Sequence, residues 1–502
     1  MNISIVGGGT AGWLAALMIK KIQPDHNITV VESSKIPIVG AGEGSTGYLT
    51  DIVQNRSWNY GCNERDFLLE TGATIKLGIK HKDWTRVGTT YYGPIDAPTA
   101  PMNGVDTLLL HTLANDIPVH RASRNGELIH HGSSSFFKKD YDAVDLDTHS
   151  HAYHFDAHRV GKYFKKIVAK DGVQVIDAEV LTILVNEQGI AGLQLSNHTT
   201  LVSDLYIDCT GFARKLSTAL DIKWHSYRNN LPVNSAMPFI LPLQDDEIVE
   251  PVTTAWAQSA GWMWQIPVDQ RYGCGYVFDD RFISPDQAQQ EIEKTLGRAI
   301  DPIRVLKFDT GRLDKLWHKN CLALGLAAAF AEPLEATSIH STIVQLTAFI
   351  YDYLREDTDS IHNIGSQNIY NRRMTKMYDD FKDFLVLHYQ TQRTDSEFWR
   401  WMQTGECQTE QVKHILDIVS VKIPQATEFD RFYGYAGAGL WNWILVGLEK
   451  ITKEHAVRDI NFWSVNTTDA KLIFDWHTNG IAQEVKHQIN NNEFVRNKAK
   501  WL

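Results

Sequence analysis

Gly7, Gly9 and Gly12, in the run Gly7-Gly8-Gly9-Thr10-Ala11-Gly12, have the spacing that receives the pyrophosphate of a dinucleotide. The first glycine permits a tight turn, the second lets the pyrophosphate approach the backbone, and the third lets helix and strand pack closely. The diphosphate then rests on free N–H groups at the helix N-terminus. Glu32, twenty residues beyond Gly12, is placed to accept hydrogen bonds from a ribose. A second group could do acid, base and amine chemistry. Lys80 lies in Ile79-Lys80-His81-Lys82-Asp83-Trp84, with Lys76 one helical turn earlier as its competitor. Glu335 lies in Glu332-Pro333-Leu334-Glu335-Ala336-Thr337-Ser338-Ile339. Proline and glutamate there suit a first helical turn for capping and dipole reasons alone, whereas Thr337 and Ser338 offer a hydroxyl and N–H groups to an anion. Glu335 would repel an anion beside it, so its carboxylate is expected to face elsewhere. Finally, Trp262 and Trp264 alternate on an extended run and point to one face, and Pro267 after Ile266 stiffens the exit.

The elements that must position these groups are legible in outline. Residues 2–6 form a short apolar strand, Leu14 to Ile22 a helix and Ile28 to Glu32 a second strand, a βαβ unit at the start of the chain. Val173 to Val185 and Leu201 to Thr210 read as strands, and the proline- and glycine-rich stretches 93–104 and 229–251 as long loops or crossings. Ile339, Ile343, Leu346, Phe349, Ile350 and Tyr353 fall at helical spacing, and Tyr378 to Tyr389 is also helical. The domain reading is a core over 1–345 and a mostly helical region over 346–502 that completes a substrate pocket. At 502 residues, 43% hydrophobic and 22% charged, the chain can fill a large core. A net charge of −11 argues against nucleic acid as partner. The five scattered cysteines suit a reducing compartment and give no metal site. With no leader-like start and no long apolar run, a cytoplasmic, non-membrane protein is expected. Fifteen tryptophans suit an aromatic pocket.

Ile207-Asp208-Cys209-Thr210-Gly211-Phe212 and Leu322-Ala323-Leu324-Gly325 look like the later nucleotide-contacting turns of flavoproteins with two dinucleotide folds. With no second Gly-x-Gly-x-x-Gly, FAD is favoured over a separate nicotinamide site. Many flavoproteins place Asp where this chain has Leu326, so a ribityl contact there would use backbone. Trp262-Met263-Trp264-Gln265-Ile266-Pro267 matches the W-x-W-x-I-P motif of flavin-dependent halogenases, and the Glu335 segment resembles that family's P-L-E-S-T-G or P-L-E-A-T-S version. The chain thus resembles the tryptophan-halogenase family, through Tyr153-His154-Phe155-Asp156, Gly273 to Phe278 and Asp383 to Tyr389 as well, fading after about residue 405.

The resemblance implies an α/β fold, a monooxygenase-like FAD-binding module followed by a mostly helical C-terminal region. It implies FAD contacts at Gly7, Gly9, Thr10, Ala11, Gly12, Glu32, Gly42, Glu43, Ser45, Val180, Thr210, Gly211, Leu324 and Gly325. Lys80, bracketed by Ile79 and Trp84, takes the catalytic lysine's place. Trp262, Trp264, Ile266 and Pro267 would keep organic substrate from the flavin. A separate flavin reductase would supply reduced FAD, which captures oxygen as a C4a-hydroperoxide. Halide near Thr337 and Ser338 would become hypohalous acid, Lys80 would present it to an electron-rich or indole-type aromatic, and Glu335 would remove the ring proton. Ala336 and Ser338 stand where better-known members have serine and glycine, and bromide or iodide is expected to serve better than chloride. A homo-oligomer is expected. The alternatives are a monooxygenase or reductase on the same fold, and a flavin-binding protein without turnover.

Overall fold

The computed structural model describes residues 1–36, 42–96, 101–102, 105–138, 151–430 and 436–502. It divides into two compact units that interleave along the chain. The first comprises Met1–Ala73, Phe155–Arg228 and Asp309–Asp379, and the second Thr74–His154, Asn229–Phe308 and Asp380–Leu502. The boundary expected at 345 instead falls inside the helix Thr337–Ala348. Part of the 93–104 stretch lies outside the described residues.

In the first unit a six-stranded sheet runs in the order Gln174–Asp177, Asn27–Glu32, Asn2–Val6, Leu205–Asp208, Cys321–Ala323, Trp317–His318. The first five strands are parallel and only the last is antiparallel. The central strands Asn2–Val6, Leu205–Asp208 and Cys321–Ala323 are buried almost throughout, as strands covered on both faces are, whereas the edge strand Gln174–Asp177 is largely exposed. Helix Thr10–Ile22 is buried from Trp13 to Ile19, and an added Cβ at Gly12 would stand 1.9 Å from the Gly7 carbonyl oxygen. Glycine is therefore required there for the helix to lie on the strand. The expected strand over 173–185 is two strands, Gln174–Asp177 and Val180–Asn186, and the second belongs to a three-stranded meander. Beyond Thr337 the first unit is helical, as expected. Arg312 donates to both Asp379 oxygens at 3.0 and 2.9 Å, and Tyr227 adds a hydrogen bond of 2.7 Å, tying the strand Gly311–Leu313 to the long helix Ile364–His388.

In the second unit a seven-stranded sheet runs in the order Leu306–Lys307, Ser235–Pro242, Arg271–Phe278, Gly261–Val268, Val252–Ala257, Gly78–Lys82, Thr90–Pro94. Met237, Phe239, Met263, Tyr276 and Phe278 line one face and pack on Ala288 and Ile292 of the helix Pro285–Leu296. That helix starts with a Ser284–Gln287 capping box and Pro285 in its first turn, and ends at Gly297 in the left-handed conformation. The 229–251 stretch is therefore not all loop, since Ser235–Pro242 is a strand despite Pro238. Its outer neighbour pairs only with Ser235 and Ala236, so the missing N–H of Pro238 interrupts no ladder on that side.

Trp264 faces Gly275 on the neighbouring strand. An added Cβ at Gly275 would stand 2.1 Å from the far edge of the Trp264 ring, so the indole lies flat across the strand. Gly275→Ala should therefore cost about 1–3 kcal/mol by overpacking, read as a lower urea midpoint, and almost nothing when Trp264→Ala is already present. Equal costs in both backgrounds would sink this account.

Candidate active site

In the first unit three turns gather at the C-terminal ends of adjacent parallel strands. Val6 pairs with Asp208 and Asp208 with Ala323, so Gly7, Thr210 and Leu324 follow neighbouring strands. Gly7 adopts φ +120°, and an added Cβ would meet the Cys209 carbonyl oxygen at 2.1 Å. Gly325, at φ +58°, lies so near the first turn of the helix that its added Cβ would be 2.8 Å from the Ala11 Cβ. At Gly9 an added Cβ meets nothing within 4 Å among the described residues, so this backbone faces open space. Asp208 is fully buried and accepts from Thr210 and Ser217, two bonds from backbone N–H groups and two from hydroxyls, which fixes the second turn.

Glu32 ends its strand against the glycine turn. It accepts from the Trp13 indole at 3.2 Å and from the Lys165 ammonium at 2.5 Å. These donors orient the carboxylate and leave lone pairs for ribose hydroxyls. Val180 is buried where its strand begins, its carbonyl accepting from Lys215 at 3.2 Å. The residues thus fit FAD: a glycine cradle without side chains, a helix N-terminus and an acidic residue at the second strand's end.

The Glu43–Ser45 segment is tied to the helix Thr337–Ala348 within the same unit. Thr46 hydrogen-bonds His340 Nδ1 at 3.0 Å, and the Tyr48 ring meets the His340 ring edge-on at 4.4 Å. Burial lowers His340 to about 3, so the imidazole is neutral. Glu335 closes a short 3-10 turn over Pro333–Glu335, and Ala336 at φ +54° joins it to the helix that Thr337 and Ser338 open. A left-handed alanine costs roughly 1 kcal/mol and such strain clusters at functional sites. Thr337 is buried and Ser338 exposed.

Burial, then the neighbouring Asp156 carboxylate, pushes the Glu43 carboxyl up to about 7. Between its ordinary 4.5 and about 7 the folded protein holds a proton that the unfolded chain has released. Stability contributed by this group therefore falls as pH rises through that window. Glu43→Gln should flatten the decline, by on the order of 1 kcal/mol in urea titrations across the window. Superimposable pH profiles for the two proteins would refute it.

In the second unit the two lysines differ. Lys80 is half-buried and donates to Glu250 at 2.5 Å, and Tyr92 donates to the same carboxylate at 3.2 Å. Partial burial disfavours its charge, but the Glu250 carboxylate outweighs that and holds the ammonium above its ordinary range. Lys76 is 1% exposed on the strand Thr74–Lys76. Its positive charge helps hold two buried imidazoles, His81 and His154, below their ordinary range, after burial itself and, for His81, after His388. His81 stacks on Tyr91 with ring centroids 4.5 Å apart and lies 5.3 Å from His388, whose Nδ1 donates to the Phe384 carbonyl at 2.9 Å. Sequence neighbours favour Lys80, whereas Lys76 is the more deeply buried amine. The signal available was a charge inside the otherwise uncharged run Ala73-Thr74-Ile75-Lys76-Leu77.

Trp262 and Trp264 do share a face, 6.4 Å apart, but Trp262 is fully buried. It packs on Trp84, which also touches His388, Tyr389 and Trp399 and donates to the Ala255 carbonyl at 3.0 Å. Of the two indoles Trp264 is the more accessible, with Ile266 and Pro267 buried after it. Among the described residues no helix is long and apolar enough to cross a membrane.

A parallel sheet with three turns meeting at the N-terminus of its first helix is the arrangement of a dinucleotide-binding protein, here with residues that fit FAD. The family model described as tryptophan halogenase matches residues 2–459, and the chain belongs to that family of flavin-dependent halogenases. It is 31% identical over 431 residues to the 7-chloro-L-tryptophan 6-halogenase KtzR of Kutzneria sp. (strain 744), covering 80% of this chain and 81% of that one. It is 28% identical over 461 residues to the tryptophan 7-halogenase RebH of Lentzea aerocolonigenes, covering 86% and 85%. Among solved structures, Tar14, a tryptophan C-6 flavin-dependent halogenase (chlorinase) from taromycin biosynthesis, superimposes with a TM-score of 0.89 at 27% identity over 98% of each chain.

Proposed function

We propose that this halogenase places bromide or iodide, in preference to chloride, on an electron-rich aromatic ring of the indole type, with Lys76 as the working amine. The observation that carries the lysine assignment is the burial of Lys76 beside two neutral imidazoles, set against the half-buried Lys80–Glu250 pair. Reduced FAD, delivered by a separate reductase, supplies when bound the two electrons with which oxygen and halide yield hypohalous acid and water. The glycine turns, Glu32, Glu43, Ser45 and the Thr210–Gly211 and Leu324–Gly325 turns hold it. Thr337 and Ser338 hold the halide with hydroxyl and N–H groups at the helix start.

The rest is done by side chains. The Lys76 ammonium donates a hydrogen bond to the hypohalous acid and so polarises its oxygen–halogen bond. As the carbon–halogen bond forms, the departing hydroxide takes the lysine's proton and leaves as water. Glu335 accepts the proton lost from the ring carbon, which restores aromaticity, and Lys76 regains a proton for the next turnover. Trp264, the more accessible of the two indoles, keeps organic substrate from the flavin, while Trp262 packs behind it. The relatives named as tryptophan halogenases support an indole ring; heavier halides are easier to oxidise, which supports the halide order.

The experiment supplies FAD, a flavin reductase, NADH, oxygen and equimolar chloride, bromide and iodide to a panel of indoles and phenols, with products read by mass spectrometry. Brominated or iodinated indoles should dominate. Equal or faster chlorination removes the halide preference, and hydroxylated products in place of organic halides overturn the reading in favour of a monooxygenase.

A further inference from the structure

The working amine sits on a strand of only three residues, Thr74–Lys76. A long flexible side chain on so short a strand is placed no better than its backbone is held. Lys76 pairs with Ala152 and Thr74 with His154 on the antiparallel neighbour. Side chains add a second restraint. Thr74 Oγ1 donates to the Pro267 carbonyl at 2.6 Å. A hydroxyl has one proton, so toward His154 Nδ1, at 3.4 Å, Thr74 can only accept. His154 therefore carries its proton on Nδ1, and Nε2 accepts from the Thr253 hydroxyl at 2.9 Å. Thr74, His154 and Thr253 are all buried. Burial and the Lys76 charge hold the imidazole well below its ordinary range, in keeping with a neutral ring of fixed tautomer.

The chain of donors thus has one direction, Thr253 to His154 to Thr74 to Pro267, and Pro267 closes the tryptophan run Trp262 to Pro267. We propose that His154 is a positioning residue, the centre of a directional hydrogen-bond chain that locks the lysine strand to the strand bearing the two indoles and so fixes where Lys76 presents hypohalous acid. The inference rests on Lys76 being the working amine. A histidine that merely filled space would serve as well when replaced by another ring; one that holds a strand through hydrogen bonds would not.

Two replacements separate these roles. His154→Phe keeps the ring and loses both links, whereas His154→Asn loses the ring and keeps a donor near the position of Nδ1. Thr74→Val removes both bonds of Thr74, to His154 and to Pro267, leaves the Thr253 link in place, and serves where a histidine variant fails to fold. Each variant is assayed at saturating halide for halogenated indole and, with a β-diketone trap, for hypohalous acid that escapes; FAD affinity is read by flavin fluorescence. His154→Phe and Thr74→Val should lower product formation about tenfold or more, with trapped oxidant rising in compensation and FAD affinity unchanged, and His154→Asn should recover most of the loss. His154→Phe performing as well as His154→Asn, or product and trapped oxidant falling together, overturns the inference. Lys76→Ala in the same assay keeps the two failures apart. If it retains product formation, the lysine assignment fails; if it loses product while His154→Phe leaves the ratio of product to trapped oxidant unchanged, only the positioning role fails.

Discussion

Replacing Lys76 by alanine is expected to lower the rate of halogenated product about 10²–10³-fold, the range seen when a preorganised charged donor or a proton-transfer group is lost. Lys80→Ala should stay within about threefold of wild type, because an ion pair with this much solvent access contributes roughly 0–1 kcal/mol. The contrast follows from where each ammonium sits. A lysine 1% exposed has been taken out of water, which proteins seldom do without a purpose. In such surroundings its field on a bound oxidant is several times what it would be at the surface. Lys80 lies nearer the solvent and pairs with Glu250. Lys76→Ala should still consume NADH and oxygen and still halogenate a β-diketone trap, since the turns that hold FAD belong to another part of the chain. The order reversed, with Lys80→Ala inactive and Lys76→Ala active, would return the assignment to Lys80.

The contrast between the two lysines, Lys80 favoured by its sequence neighbours and Lys76 by its burial, shows where local reading ends. The glycine turn, Glu32, the strand over the Trp262–Pro267 run and the helix beyond Thr337 are set by residues close in the chain, through turn geometry, periodicity and capping, and all four stand where the sequence places them. Burial of a lysine is not set that way. Ile79 and Trp84 mark Lys80 by name, yet on the strand Gly78–Lys82 it is Ile79 and His81 that point inward and Lys80 that reaches the surface. On Thr74–Lys76 all three residues are buried, so alternation says nothing about which face matters. The same reason hides the division of the chain into interleaved units, and makes Trp262 a core residue while its partner Trp264 owes its posture to a glycine on the next strand. Sequence distance in these cases exceeds anything a local pattern can carry.

Glu335→Gln is expected to cost about 10²–10³-fold in turnover with an almost unchanged urea midpoint, and that combination decides between its two possible roles. An acidic residue just before a helix stabilises it by roughly 0.3–1 kcal/mol through the helix dipole, and a glutamate serving only that end would lose stability on neutralisation and keep its turnover. Here the left-handed Ala336 stands between Glu335 and the helix, so the carboxylate belongs to the preceding turn rather than to the first helical turn. Left-handed Ala336 caps that turn, its N–H donating to the Pro333 carbonyl at 3.2 Å, and strain of this kind clusters at functional sites. Glutamine preserves the size of the side chain and its hydrogen-bonding oxygen but cannot take the proton from the ring carbon. Loss of that proton should then become the slow step. A substrate deuterated at the halogenated carbon should show a primary isotope effect with Glu335→Gln that wild type lacks, while the escape of hypohalous acid to a trap persists. Full turnover with a lowered urea midpoint would instead make Glu335 a structural acid, and the base would have to be sought among other residues of the site.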